Sequence, residues 1–366
     1  MALAGLAALA GAGQAGQAAQ AAQAGHADEA GSAAMALART MSPGFNLGNT
    51  LEAIPDETAW GNPPPNQAFF DAAAAAGFRS VRIPVAWSQY ADADNVIRAE
   101  WMAHVRQTVD QARRAGLVVL LNVHWDGGWM QPTFARERAV RLKLATFWLQ
   151  IAEAFKDYDE HLLFAGTNET AVDGVYGPPT EENCKVQNGL LQTFVKAVRS
   201  TGGRNAQRVL VVQAYATNID AAVSCNATLP VDTVPGRLMM EVHYYDPFDF
   251  TINGKSQVWQ WGSIATDPKA TETWADEPWV EKKFGLMQAA FVDKGVPVIL
   301  GEYAADMKPA YPGMKTYRDY WIRTVTRSAF RHGLVPMYWD VGGLIDRRTG
   351  ALRDADAVHA IVEAAR

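Results

Sequence analysis

Short β-type runs alternate with longer amphipathic segments along most of this chain, and no other feature limits its fold so tightly. The runs end near Thr50 (FNLGNT), Val85 (FRSVRIPV), His124 (LVVLLNVH) and Asn168 (LLFAGTN). Four more end near Gln213 (RVLVVQ), His243 (RLMMEVH), Glu302 (PVILGE) and Asp340 (LVPMYWD). An apolar run bounded by turn residues reads as a buried strand. Between the runs lie segments with apolar residues at helical spacing, several closed by a glycine stop signal such as Gly116. The connection after Gln213 offers only a short helix near Ile219 to Ser224. Eight strands alternating with helices predict an α/β fold, a single (β/α)8 TIM barrel over residues 35–366. The runner-up is a doubly wound open sheet, which calls for a glycine-rich phosphate loop after the first strand. FNLGNTLEA has one glycine, so the barrel is preferred.

Composition bounds the rest. The chain has 366 residues, 49% hydrophobic, enough for one large core. Its net charge is −6 with no long basic run, which argues against a nucleic-acid or anionic-membrane surface. No stretch is apolar enough for a membrane span. Residues 1–34 are low in complexity, and MALAGLAALAGA resembles the apolar region of a signal peptide without its basic start. They are expected to be an export-related or flexible leader, which points to a secreted or periplasmic protein. Cys184 and Cys225 lack metal-binding spacing. In an exported protein they could form one disulfide between the loops after strands 4 and 5; two free thiols remain the alternative.

The predicted strand ends collect residues suited to chemistry. Glu169 and Glu302 each stand where an apolar run stops, a poor place for a core residue and the catalytic rim of a parallel barrel. Two carboxylates facing one cleft are the minimum for glycoside hydrolysis. Around them the strand ends bring Asn46, Arg82, His124, Trp125, Asn168, His243, Tyr245, Trp339 and Asp340. Singly, each has a structural explanation; together they converge on one rim. The chain also carries 12 tryptophans. Trp125 and Trp129 follow strand 3, and Trp259 and Trp261 lie in a long loop from about Asp246 to Pro278, so these four are candidates to pave a sugar-binding cleft.

Seven segments, in order, resemble glycoside hydrolase family 5, the cellulase-type group of retaining β-glycosidases. They are GFNLGNTLEA (Gly44–Ala53), VRIPVAW (Val81–Trp87), NVHWDGGW (Asn122–Trp129), TNE (Thr167–Glu169), VHYY (Val242–Tyr245), ILGEYA (Ile299–Ala304) and MYWD (Met337–Asp340). The resemblance implies that Glu169 is the acid/base and Glu302 the nucleophile. It implies supporting roles for Arg82, His124, Asn168, His243 and Tyr245, with Trp339 as the platform beneath the sugar. Trp125, Ala165 and Thr170 depart from residues common in the family at those places. The expected activity is a retaining endo-β-1,4-glucanase, with no metal or cofactor, acting as a monomer on a β-1,4-linked polysaccharide or oligosaccharide. A β-mannanase or xyloglucanase on the same barrel is the first alternative, and a carbohydrate-binding barrel without catalysis a remote one.

Overall fold

In the computed structural model, which describes residues 33–366, eight parallel strands close on themselves in sequence order. They are β1 (Gly44–Asn46), β2 (Ser80–Ile83), β3 (Val118–Asn122), β4 (Leu162–Ala165), β5 (Leu210–Gln213), β6 (Leu238–His243), β7 (Val298–Glu302) and β8 (Leu334–Tyr338). A short helix α1 (33–40) precedes the barrel. Outside it run α2 (Gln67–Ala76), α3 (Ala99–Arg114), α4 (Phe134–Ala154), α5 (Glu181–Ser200), α6 (Ile219–Ser224), α7 (Phe248–Thr251), α8 (Glu277–Ala290), α9 (Met314–Arg331) and α10 (Ala355–Ala364). The architecture is the (β/α)8 barrel expected from the alternation.

Strand periodicity divides the core in two. Along β3, Val119 and Leu121 join the layer between strands and helices. Val118 and Leu120 point inward, with Leu163, Val211, Met239, Ile299 and Met337. Ala34, Ala38 and Met41 pack on this inner set, and Ser80 Oγ donates to the Met41 carbonyl at 2.6 Å. Helix α1 and the turn after it therefore stop the N-terminal mouth of the barrel, leaving the C-terminal rim for the site. Ala33 and Ala34, placed by sequence in the leader, belong to α1; residues 1–32 lie outside the described residues.

One step further along β1, β2, β3, β5 and β6 the inward positions turn polar. Asn46, Arg82, Asn122, Gln213 and Glu241 are all fully buried. Several strands end earlier than their sequence patterns do: β1 at Asn46 rather than Thr50, β4 at Ala165 rather than Asn168. Beyond those ends single backbone bonds continue the pairing, such as Leu47 N to Arg82 O and Gly166 N to Val211 O. The ladder gives way because the buried side chains of this layer, not regular pairing, organise the rim. Helix α10, capped by Asp354 accepting from Ala357 N, was not singled out from the sequence.

The structure joins Cys184 to Cys225, with Cα atoms 5.2 Å apart. The bridge runs from the first turn of α5 to the residue that ends α6, so it ties two helices rather than the two loops expected. Helix α5 begins there because Thr180 and Asn183 form a reciprocal capping box. An enclosed separation of 41 residues should stabilise by roughly 2–4 kcal/mol in the chain-entropy account. Serine at both positions should lower the denaturation midpoint accordingly, and unfolding without reductant should release no thiol. Two titratable thiols in that experiment would contradict the bridge.

Candidate active site

Arg82 is the hub of the rim. Its guanidinium is fully buried and meets a partner on each side. Nη1 donates to Glu302 Oε1 at 2.7 Å and to Asn46 Oδ1 at 3.1 Å. Nη2 donates to Asn168 Oδ1 at 2.6 Å, and Nε forms an ion pair with Glu241 Oε1 at 2.8 Å. Burial works against the arginine charge, and Glu241 and Glu302 outweigh it, so its pKa stays above the usual value. Asn46 spends its amide on the carbonyls of Gly301, Met337 and Tyr338. It ties β1 to β7 and β8 beneath the cleft. Because Arg82 occupies the Asn168 oxygen, the Asn168 amide nitrogen is left as the group that can donate outward.

Glu302 and Glu169 face each other across His243. An oxygen of each and a ring nitrogen of His243 lie within 4.8 Å of one another. The Glu302 side chain is 7% exposed and that of Glu169 47%, so one is set in the floor and the other opens to the cleft. Tyr245 OH donates to Glu302 Oε2 at 2.9 Å. His243 Nδ1 lies 2.8 Å from Glu169 Oε1 and 3.6 Å from Glu302 Oε2, and Nε2 lies 3.3 Å from Glu241 Oε1. Both imidazole nitrogens therefore already have carboxylate partners, which fits a hydrogen-bonding role better than metal ligation. Burial disfavours a charged His243, but Glu302, Glu169 and Glu241 overcome it and lift its pKa to about 9. Burial raises Glu302 above the ordinary carboxylate range; the charge of Glu169 adds to this, while His243 and Arg82 oppose it. For Glu169, burial is outweighed by the hydrogen bond and charge of His243, which hold it lower.

Glu241 was missed from sequence. It is fully buried, and despite that burial Arg82 and His243 pull its pKa down to about 2. Gln213 Nε2 donates to its second oxygen at 2.6 Å. A Cβ on Gly301 would collide with the same carboxylate, which explains a glycine one residue before Glu302. The signal was present: in RLMMEVH the period of two puts Met239, Glu241 and His243 on one side of the strand. A second unpredicted carboxylate, Glu52, accepts from the backbone of Asn49 and Thr50, and burial lifts its pKa to about 7.

His124 is buried against Asn122, whose Nδ2 lies 3.1 Å from its Nδ1. Burial and the charges of Arg82 and His243 hold it well below the usual histidine pKa, so it is neutral. Its ring lies parallel to that of the half-buried Trp339, with centroids 5.8 Å apart. Glu169 stands between two cavities of about 170 and 80 Å³. Trp125, half exposed, lines the smaller one. Trp129 is held by Asp126, which accepts its Nε1 at 2.7 Å and also the backbone amides of Trp87 and Ser88. Trp259 lies parallel to Tyr311 at 5.6 Å, joining the loops after β6 and β7. Trp261 corrects the sequence expectation. It is 2% exposed and donates Nε1 to the Ala275 carbonyl, so it is the core of the long loop and not cleft paving. A loop of that length needs its own apolar anchor, and the run of tryptophans could not show which one served.

The family model for cellulase (glycosyl hydrolase family 5) matches residues 42–344. The chain belongs to glycosyl hydrolase family 5. It is 43% identical to the xyloglucan-specific endo-β-1,4-glucanase of Bacteroides ovatus, over 90% of this chain and 70% of that protein. It is 34% identical to endoglucanase A of Paenibacillus barcinonensis, over 90% of each. A solved Bacteroides ovatus family 5 xyloglucanase in complex with a XXXG heptasaccharide superposes with a TM-score of 0.87 at 42% identity, covering 90% of this chain and 76% of that one. This family 5 chain is a glycoside hydrolase of the endo-β-1,4-glucanase type.

The two tryptophan environments make opposite forecasts. Trp261→Ala should cost about 3–5 kcal/mol of stability, as large buried side chains do. Trp339→Ala should leave the melting temperature nearly unchanged and lower kcat/KM on oligosaccharides, since stacking contributes about 0.5–1.5 kcal/mol beyond area. Unfolding of Trp339→Ala with unchanged activity per folded molecule would make Trp339 a core residue.

Proposed function

We propose that Glu302 attacks the anomeric carbon and Glu169 protonates the leaving oxygen in a double displacement on internal β-1,4 bonds. The observation that carries this is the approach of the two carboxylates, with oxygens within 4.8 Å. Retaining enzymes hold their carboxyls about 5–5.5 Å apart, and inverting ones leave about 6.5–9.5 Å for a water. The roles follow from surroundings. Glu302, in the floor with Arg82 and Tyr245 as donors, is aimed and kept anionic. Glu169, open to the cleft, can reach a glycosidic oxygen and later activate water. The outward amide of Asn168 suits the sugar 2-hydroxyl, a bond that strengthens in an oxocarbenium-like transition state. Trp339 offers its face to the reacting ring.

The substrate in this reading is a β-1,4-glucan chain. Xyloglucan, whose backbone is the same, is a second reading. It is favoured by the 43% identity to a xyloglucan-specific enzyme and the likeness to a structure holding a xyloglucan-type heptasaccharide. Export to an oxidising compartment is the reading that the Cys184–Cys225 bridge supports. Comparing carboxymethylcellulose, xyloglucan and mannan tests the substrate: faster cleavage of xyloglucan selects the second reading, and mannan alone would reject both.

Glu302→Gln should all but abolish turnover in a folded protein. Glu169→Ala should spare substrates with good leaving groups, and azide should rescue its second step. Freshly released products should carry the β configuration by NMR; α products would reject the scheme. Because Glu302 must be ionised, activity should fall as pH drops through its raised pKa. The acid limb should therefore lie above the ordinary glutamate value of about 4.3, and a limb at or below that value would contradict the burial argument.

A further inference from the structure

Glu241 takes no direct part in the scheme above, yet it touches both cations of the site. Its Oε1 lies 2.8 Å from Arg82 Nε and 3.3 Å from His243 Nε2. The imidazole is 4% exposed, between Glu241 on one side and Glu169 and Glu302 on the other. A neutral ring has one N–H and one lone pair. In this setting the lone pair would confront an ionised carboxylate across a hydrogen-bond distance. A doubly protonated ring meets an acceptor at each nitrogen. The groups facing it are Glu241, Glu302, Glu169, Arg82, the neutral His124 and the Tyr245 hydroxyl, with Tyr244, Asp246 and Lys283 lining the adjoining cavity. With three carboxylates against Arg82 and His243, the cluster is most nearly neutral when the ring is charged.

We propose that the proton delivered to the leaving oxygen is stored on His243, that Glu169 carries it, and that Glu241 is the positioning residue that keeps it there. This rests on the acid/base role of Glu169. In the first half-reaction the Nδ1 proton of His243 passes to Glu169 and on to the glycosidic oxygen. The C1–O bond breaks, a Glu302 oxygen bonds to C1, and His243 is left neutral with its remaining proton on Nε2 toward Glu241. In the second half, water bonds to C1 and the Glu302 ester breaks. The water proton returns through Glu169 to Nδ1. The device explains how a half-exposed Glu169, held ionised by its neighbours, can act as an acid: the cation that lowers its pKa is also its proton source. It also assigns Gly301 a purpose, since only glycine leaves room for the Glu241 carboxylate.

The test compares wild type, Glu241→Gln, Glu241→Asp and Glu169→Ala in kcat/KM against pH. The substrates are phenyl β-cellobioside, a poor leaving group, and 2,4-dinitrophenyl β-cellobioside, which departs without a proton. With the phenyl substrate, Glu241→Gln should move the basic limb down by about one pH unit or more, the scale of losing one adjacent charge. Glu241→Asp should restore part of that shift, and the dinitrophenyl profile should keep its basic limb. A limb that stays put, or moves equally for both substrates, overturns the proposal. If Glu169→Ala loses both substrates alike, the acid/base role itself has failed, which is a different result. Should Glu241→Gln not fold, ¹⁵N-histidine NMR of the wild type decides, with the His243 signals assigned by their loss in His243→Asn. Two protonated nitrogens at pH 6–7 are expected, and a neutral His243 ring at pH 6 overturns the proposal.

Discussion

Everything at the rim is arranged around a guanidinium that has no access to water. Arg82 enters the barrel from β2 and meets Glu241, Glu302, Asn168 and Asn46. A buried charge is tolerated only when its partners replace the lost hydration, and removing one partner of such a pair typically costs about 3–5 kcal/mol. The fold therefore cannot relax around Arg82 without leaving a charge stranded. That constraint turns four side chains from four different strands or strand ends into one rigid unit. The Glu302 carboxylate is aimed because Arg82 is held, and Asn168 presents its amide outward because its oxygen is taken.

The same constraint explains the change of character along the barrel. The lower interior is aliphatic and is stopped by α1, while the layer above carries the buried polar side chains of Asn46, Arg82, Asn122, Gln213 and Glu241. Thr167 binds Gln213, Gln213 binds Glu241, and Glu241 binds Arg82. Such a network is stable only when its members satisfy one another, because a half-paired buried polar group costs more than an apolar one. The site has so been built as part of the core and not laid upon it. Above this layer the aromatics are only partly buried, with Trp125 half exposed and Trp339 lying parallel to His124.

Much of this was legible in the chain. Eight apolar runs bounded by polar residues announce a parallel barrel, since strands covered on both faces must be apolar throughout. Glu169 and Glu302 stand out because a carboxylate that closes such a run has no structural excuse. Glu241 was hidden by its position inside a run, where one polar letter among RLMMEVH looks like noise until alternation places it beside His243. Trp261 was misjudged because sequence shows that a long loop carries indoles but not which of them the loop folds around. The helical ends of the Cys184–Cys225 bridge depended on where α5 and α6 begin and stop, and element boundaries are set by caps and tertiary contacts more than by local pattern.

The division of labour between the two glutamates is decided by which atom bonds to the sugar. Incubation with a 2-deoxy-2-fluoro-β-cellobioside bearing a good leaving group slows the second step and should trap the glycosyl-enzyme. Peptide mass spectrometry should then find a single added disaccharide on Glu302. A label on Glu169, on Glu241 or on no residue at all, from protein that still hydrolyses glucan, would contradict the arrangement described.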